Sequence, residues 1–126
     1  MDAFLQSLLP IPSPHLVNGH LSTAAQRGRQ LFTSTKTGCA VCHPPPLFTD
    51  LAAYDVGTAG DYDKSSDRFD TPTLVELWRT APYLHNGSAA TLRDVLTKGN
   101  ARDLHGKTSH LTSEQIGDLV EYLLSL

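Results

Sequence analysis

Apolar positions recur with a helical period most clearly near the C-terminus, where Ile116, Leu119, Val120 and Leu123 fall at i, i+3, i+4 and i+7. Thr112 and Gln115 precede this run as a capping box, and Glu114 occupies the first turn, where the helix dipole favours negative charge. Ala24, Gly28, Leu31 and Phe32 recur at i, i+4, i+7 and i+8, and Thr23 with Gln26 repeats the capping pattern, which predicts an amphipathic helix over residues 22–34. Two shorter helices are expected between these. Pro72 suits the first helical position after Thr71 in a segment reaching about Thr80, and Thr91 caps a stretch from Leu92 to Lys98 that Gly99 stops. Residues 44–70 carry no sustained period beyond a weak alternation at Ala53-Tyr54-Asp55-Val56, and an irregular segment of that length needs a surface to lie against. Pro10, Pro12, Pro14 and Gly19 break residues 1–21, which read as an extended lead-in, a linker or a strap before a domain over 22–126. The expected class is all-α.

At 126 residues the chain is long enough for one compact domain. Ten Lys and Arg against thirteen Asp and Glu give a net charge of −3 with no basic block, which excludes a phosphate-backbone partner, so no nucleic acid is expected. No apolar run approaches the roughly 18 residues of a membrane span, and the first ten residues lack the basic region and cleavage site of a signal peptide. One Trp, four Phe and four Tyr, interrupted by eight Pro and nine Gly, promise a thin core that something besides side chains completes.

That expectation meets the two cysteines, which stand as Cys39-Ala40-Val41-Cys42-His43 just after the first predicted helix. Two thiols at i and i+3 suit attachment to the two vinyl groups of one haem, and a histidine directly after them is placed to ligate its iron. A covalently held macrocycle would also supply the missing apolar surface. Competing readings fit less well. A thioredoxin-like dithiol needs a continuing helix, which Pro44, Pro45 and Pro46 forbid. A zinc site using Cys39, Cys42, His105 and His110 separates its two pairs by far more than the about 12 to 15 residues of a finger. A plain disulfide leaves His43 and the thin core unexplained. Met1 is the only methionine and lies at the end of the lead-in, so the second axial position falls to His85, His105, His110 or none. His105 is preferred because Gly106 lets its loop turn tightly. Trp78 and Arg79 are read as contacts for the ring edge and a propionate. Asp61, Asp63, Asp67 and Asp70 gather in the long loop as a weak calcium pattern without an EF-hand register, and a solvated acidic loop is the simpler reading.

From about Gln26 to Leu126 the chain resembles the C-terminal, electron-transfer haem domain of the bacterial di-haem cytochrome c peroxidase family, including its MauG-like members. The resemblance is carried by Phe69-Asp70-Thr71-Pro72-Thr73-Leu74, by Thr80-Ala81-Pro82-Tyr83-Leu84-His85-Asn86-Gly87-Ser88 and by Thr91-Leu92. It implies a cytochrome c-like domain of about four helices around one covalent haem c on Cys39 and Cys42, with His43 as proximal ligand and export to the periplasm. It also implies a redox partner protein or an adjacent haem domain that receives electrons. The family carries two C-x-x-C-H motifs and this chain one, so either a partner domain has been cut away from a longer exported protein or the single domain works alone. The family's common distal Met would fall near Gly99 or Asn100, with His105 the nearest replacement. The expected function is electron transfer by a single low-spin haem; the alternative is a haem peroxidase or small-ligand-binding domain with an open distal face.

Overall fold

The computed structural model describes residues 2–126, residues 5 and 6 by their backbone alone. Met1, weighed above as an axial ligand, lies outside the described residues. The elements are α1 (Asp2–Ser7), α2 (Thr23–Phe32), α3 (Cys39–Cys42), β1 (Ala53–Tyr54), β2 (Phe69–Asp70), α4 (Leu92–Leu96) and α5 (Ser113–Leu124), with 3₁₀ turns at Leu77–Arg79 and Lys98–Asn100. The fold is thus mostly helical with a small antiparallel sheet that pairs Ala53 with Asp70 and Tyr54 with Phe69, which corrects the all-α expectation. That pairing is how the long loop folds back on itself.

Helices α2 and α5 form the principal packing interface. Thr112 and Gln115 cap α5 reciprocally, at 3.2 and 2.9 Å, as their spacing predicts. The cap of α2 is one residue earlier than expected. Ser22, not Thr23, accepts from the Ala25 amide at 3.1 Å, and Gln26 donates to the Leu21 carbonyl. The buried face of α2 is accordingly Ala25, Gly28 and Phe32, with Ala24 and Leu31 half-buried. Gly28 lies against the α5 backbone so closely that a Cβ there would come within 1.9 Å of the Asp118 carbonyl oxygen. Phe32 meets Tyr122 edge-on with ring centroids 5.3 Å apart, Leu119 is fully buried, and Arg27 grips Asp118 with two bonds of 2.6 and 2.7 Å.

Helix α4 buries Leu92, Val95 and Leu96 and packs on α5, capped by Thr91 and Asp94. It ends at Leu96, short of the predicted Lys98, and Gly99 sits inside the following 3₁₀ turn, where a Cβ would lie 2.9 Å from the Asp94 carbonyl oxygen.

The predicted helix from Thr71 to Thr80 does not form. Thr71 donates its amide to Ala52 at 2.8 Å and Thr73 its hydroxyl to Leu47 at 2.6 Å, so long-range bonds hold this segment extended against the loop; only Leu77–Arg79 turns. The lead-in also departs from expectation by containing α1. Beyond α1 it is anchored at two points, the Ser13 hydroxyl donating to Leu124 O and the Ile11 amide to Glu76 Oε1, both at 2.5 Å. Among the described residues no helix is long and apolar enough to cross a membrane.

Candidate haem site

The C-x-x-C-H segment is one helical turn, α3, entered through Gly38 at φ 73°, a left-handed conformation that glycine adopts without strain. Thr37, just before it, is buried and donates its hydroxyl back to the Leu31 carbonyl at 2.5 Å, tying the turn to the end of α2. The Thr37 carbonyl accepts from the Lys107 amide at 2.8 Å, tying the same turn to the 101–111 loop. Cys39 and Cys42 are free, half-buried thiols, and burial pushes both pKa values up.

His43 follows the turn and is buried. Pro44–Pro46 break the helix and return the chain so that the Phe48 amide reaches Pro44 O at 2.8 Å and the Phe48 carbonyl lies 2.9 Å from His43 Nδ1. A carbonyl only accepts, so Nδ1 carries the proton and Nε2 keeps its lone pair. Burial holds the ring below its ordinary pKa and hence neutral at pH 7.

His105 faces His43, the ring centroids 6.3 Å apart and the planes tilted by 48°. Burial and the neighbouring His43 lower its pKa to about 4. Its loop is held by Asn100, a residue with no role in the sequence reading. The buried Asn100 amide donates to the carbonyls of His105 and Gly106, both at 3.0 Å, and to Thr108 Oγ1 at 2.9 Å, while its oxygen accepts the His105 amide at 2.8 Å. Thr108 in turn donates to Leu96 O at 2.7 Å, which fastens the loop to α4. Neither ring nitrogen of His105 has a hydrogen-bond partner among the described residues.

The other distal candidates lie elsewhere. His85 is stacked on Phe69 at 3.5 Å with both nitrogens engaged, Nδ1 with Thr58 Oγ1 at 3.2 Å and Nε2 with Asp63 Oδ2 at 2.8 Å. His110 is exposed. Arg79 pairs with Glu76 and lies over the Trp78 ring, its centroid 5.9 Å away. No hydrogen bond or ring contact among the described residues links Trp78 or Arg79 to the cysteines or to His43 and His105. Trp78 Nε1 is nevertheless buried without a hydrogen-bond partner among the described residues, a donor that needs an acceptor the chain does not provide. Among the described residues no three His, Cys, Asp or Glu side chains converge as a metal cluster, so neither the zinc set nor the acidic loop has a coordinating geometry. Asp63 and Asp67 instead accept from the amides of Gly60 and Lys64.

These donors fit a haem c. Two thiols share one turn, a neutral imidazole offers Nε2 beside them, a second neutral imidazole faces it, and a buried N–H lacks a partner.

Comparison with known proteins agrees. The sequence profile of the family described as RoxA-like, cytochrome c-like matches residues 69–105. Hydrazine synthase subunit gamma of Kuenenia stuttgartiensis is 34% identical over 150 residues, covering 86% of this chain and 42% of that protein. A solved chain of that organism's hydrazine synthase superposes on 98% of this chain and 52% of its own length with a TM-score of 0.87 at 31% identity. The cytochrome-c peroxidase IdrP1 of Denitromonas iodatirespirans is 31% identical over 154 residues, 84% of this chain and 41% of that protein. The methylamine utilization protein MauG of Methylorubrum extorquens is 31% identical over 121 residues, 81% of this chain and 34% of that protein. The chain thus spans 34 to 42% of the length of these relatives. In sequence and in fold, the chain belongs to the di-haem cytochrome c peroxidase and MauG-like family, as a RoxA-like cytochrome c domain.

Proposed function

We propose that the chain is a mono-haem electron-transfer domain in which Cys39 and Cys42 would hold haem c covalently and His43 and His105 would supply the imidazole ligands to its iron. When bound, the haem supplies a one-electron couple, its iron cycling between ferric and ferrous states. The observation that carries this reading is the facing pair of neutral imidazoles at 6.3 Å. Two imidazoles that each reach one metal through a nitrogen at about 2 Å have centroids roughly 6 Å apart.

The chain's own residues set the rest. Phe48 O fixes the His43 tautomer and Asn100 fixes the His105 backbone, so both ligands are held before iron binds and little reorganisation accompanies a change of charge. Trp78 would offer its unpartnered buried N–H to a propionate, whereas the Arg79 guanidinium is taken up by Glu76. A His in place of a Met ligand removes the thioether that raises potential, so the midpoint falls below that of His/Met cytochromes c. Thioether attachment takes place after export, so the domain would work in the periplasm, beside a redox partner protein or a second haem domain.

The test is haem retention after denaturation. Protein matured in a periplasm is expected to keep its haem through acid and organic extraction, with a pyridine haemochrome of one haem per chain. The Cys39→Ala/Cys42→Ala variant is expected to release it. Quantitative extraction of haem from the unmodified chain overturns the reading. Relatives bearing the name cytochrome-c peroxidase support a second reading, peroxide chemistry at an open distal face. It requires His105 to leave the iron, and ferric protein that is high-spin at neutral pH would favour it.

A further inference from the structure

We propose that the face shared by the 35–42 turn and the 102–107 loop is the docking surface for an acidic electron-transfer protein, which meets this chain over Val41 and Cys42 between Lys36 and Lys107. The proposal rests on the haem reading above and adds the partner to it.

A depression of about 260 Å³ opens here, and Lys36, Val41, Cys42, Asp103 and Lys107 all line it. Val41, between the two cysteines, is 73% exposed, so the turn presents an aliphatic side chain to solvent directly beside the thiols. Cys42 is half-exposed, and a macrocycle bound through its sulfur would have its shortest covalent route to the surface at this point. An apolar centre within a charged rim is the anatomy of a transient protein interface, and the sign of the rim selects the partner.

The rim here is positive. Lys36 and Lys107 are exposed, and neither forms an ion pair among the described residues. The one carboxylate in the depression, Asp103, is turned to the chain itself: it accepts the amides of Thr108 and Ser109 at 2.9 and 3.0 Å and the Ser109 hydroxyl at 2.5 Å. Of ten Lys and Arg and thirteen Asp and Glu in the chain, this depression takes two cations and one acid, so the excess negative charge lies elsewhere. The net charge of −3 on its own suggests a basic partner; the local distribution reverses that sign. On docking, one electron is exchanged with the partner's reduced or oxidised centre; no bond is made and no proton moves.

The experiment follows the haem absorbance in a stopped-flow instrument while ferric holoprotein is reduced by an acidic, pre-reduced plant-type [2Fe–2S] ferredoxin, a low-potential donor. The second-order rate constant is expected to fall at least tenfold as salt rises from about 0.01 to 0.5 M, because screening removes attraction between unlike charges. The Lys36→Glu/Lys107→Glu variant is expected to be at least tenfold slower at low salt with a flattened salt dependence, and Lys36→Gln/Lys107→Gln intermediate. A control with the same change of net charge outside the depression, Lys64→Glu/Arg93→Glu, is expected to stay within about twofold of the unmodified protein. A control that slows the reaction as much as the Lys36 and Lys107 pair, or a rate that is indifferent to salt, overturns the docking surface while leaving the haem reading intact. A colourless protein, or one that dithionite cannot reduce, overturns the haem reading and the docking surface with it.

Discussion

The chemistry of the site turns on the charge state of two imidazoles. A histidine binds iron through a lone pair that a proton would otherwise occupy, so a ligand kept neutral by its surroundings is ready to coordinate. Burial does this for both His43 and His105, and for His105 the value is about 4 against an ordinary 6.5. The unfolded chain takes up that proton near pH 6.5 and the folded chain only near 4, so the His105 contribution lowers stability progressively as pH falls across that window. Urea unfolding of the haem-free chain over a series of pH values is expected to show this decline, and a decline of the same size in His105→Gln would contradict it. Asn100→Ala removes four hydrogen bonds around the His105 loop and strands buried carbonyls; a loss of about 3 kcal/mol in urea unfolding is expected, with a high-spin fraction appearing in the ferric spectrum. An effect under about 0.5 kcal/mol with an unchanged spectrum would contradict the positioning role. His105 was within reach of sequence reasoning, because the chain offers few imidazoles and no methionine near the expected position. Asn100 was not, because its importance lies in how far forward its amide reaches, and that distance exists only once the loop is folded.

At the level of elements, the α2–α5 pair is where sequence and energetics agree most closely. Gly28 lets the two backbones touch, and Gly28→Ala is expected to cost at least about 3 kcal/mol despite the better helix propensity of alanine, because a Cβ 1.9 Å from a carbonyl oxygen forces the helices apart. Thermal unfolding checks this, and a neutral or stabilising result would mean that the helices are not so close. The α5 and α4 caps were legible because a capping box is local, its partners three residues apart. At α2 the same logic slipped by one residue: Ser22 and Thr23 are adjacent hydroxyls, and which one caps depends on the angle at which Leu21 enters the core. The segment from Thr71 to Thr80 looked helical from Pro72 at its start, but its amide and hydroxyl partners, Ala52 and Leu47, lie more than a dozen residues away. Non-local hydrogen bonds outweighed local propensity there, and no local pattern announces them.

The whole molecule is short of aromatic residues, has a long loop ordered by two residue pairs of sheet, and holds two thiols and two neutral imidazoles near one another. The proposed covalently held macrocycle would account for all three at once, supplying apolar surface, a body for the loop to rest on and a metal for the donors. The mostly helical character and the C-x-x-C-H motif could be read from the chain because both rest on spacing; the pairing of Ala53–Tyr54 with Phe69–Asp70, the anchoring of the lead-in by Ser13 and the segregation of charge could not, because they depend on which distant segments meet. The most direct test of the central claim is the ferric absorption spectrum of periplasmically matured protein beside that of His105→Ala. A six-coordinate low-spin spectrum that turns high-spin in the variant is the predicted result. A high-spin spectrum in the unmodified protein, or a low-spin spectrum that survives loss of His105, would contradict ligation by His105.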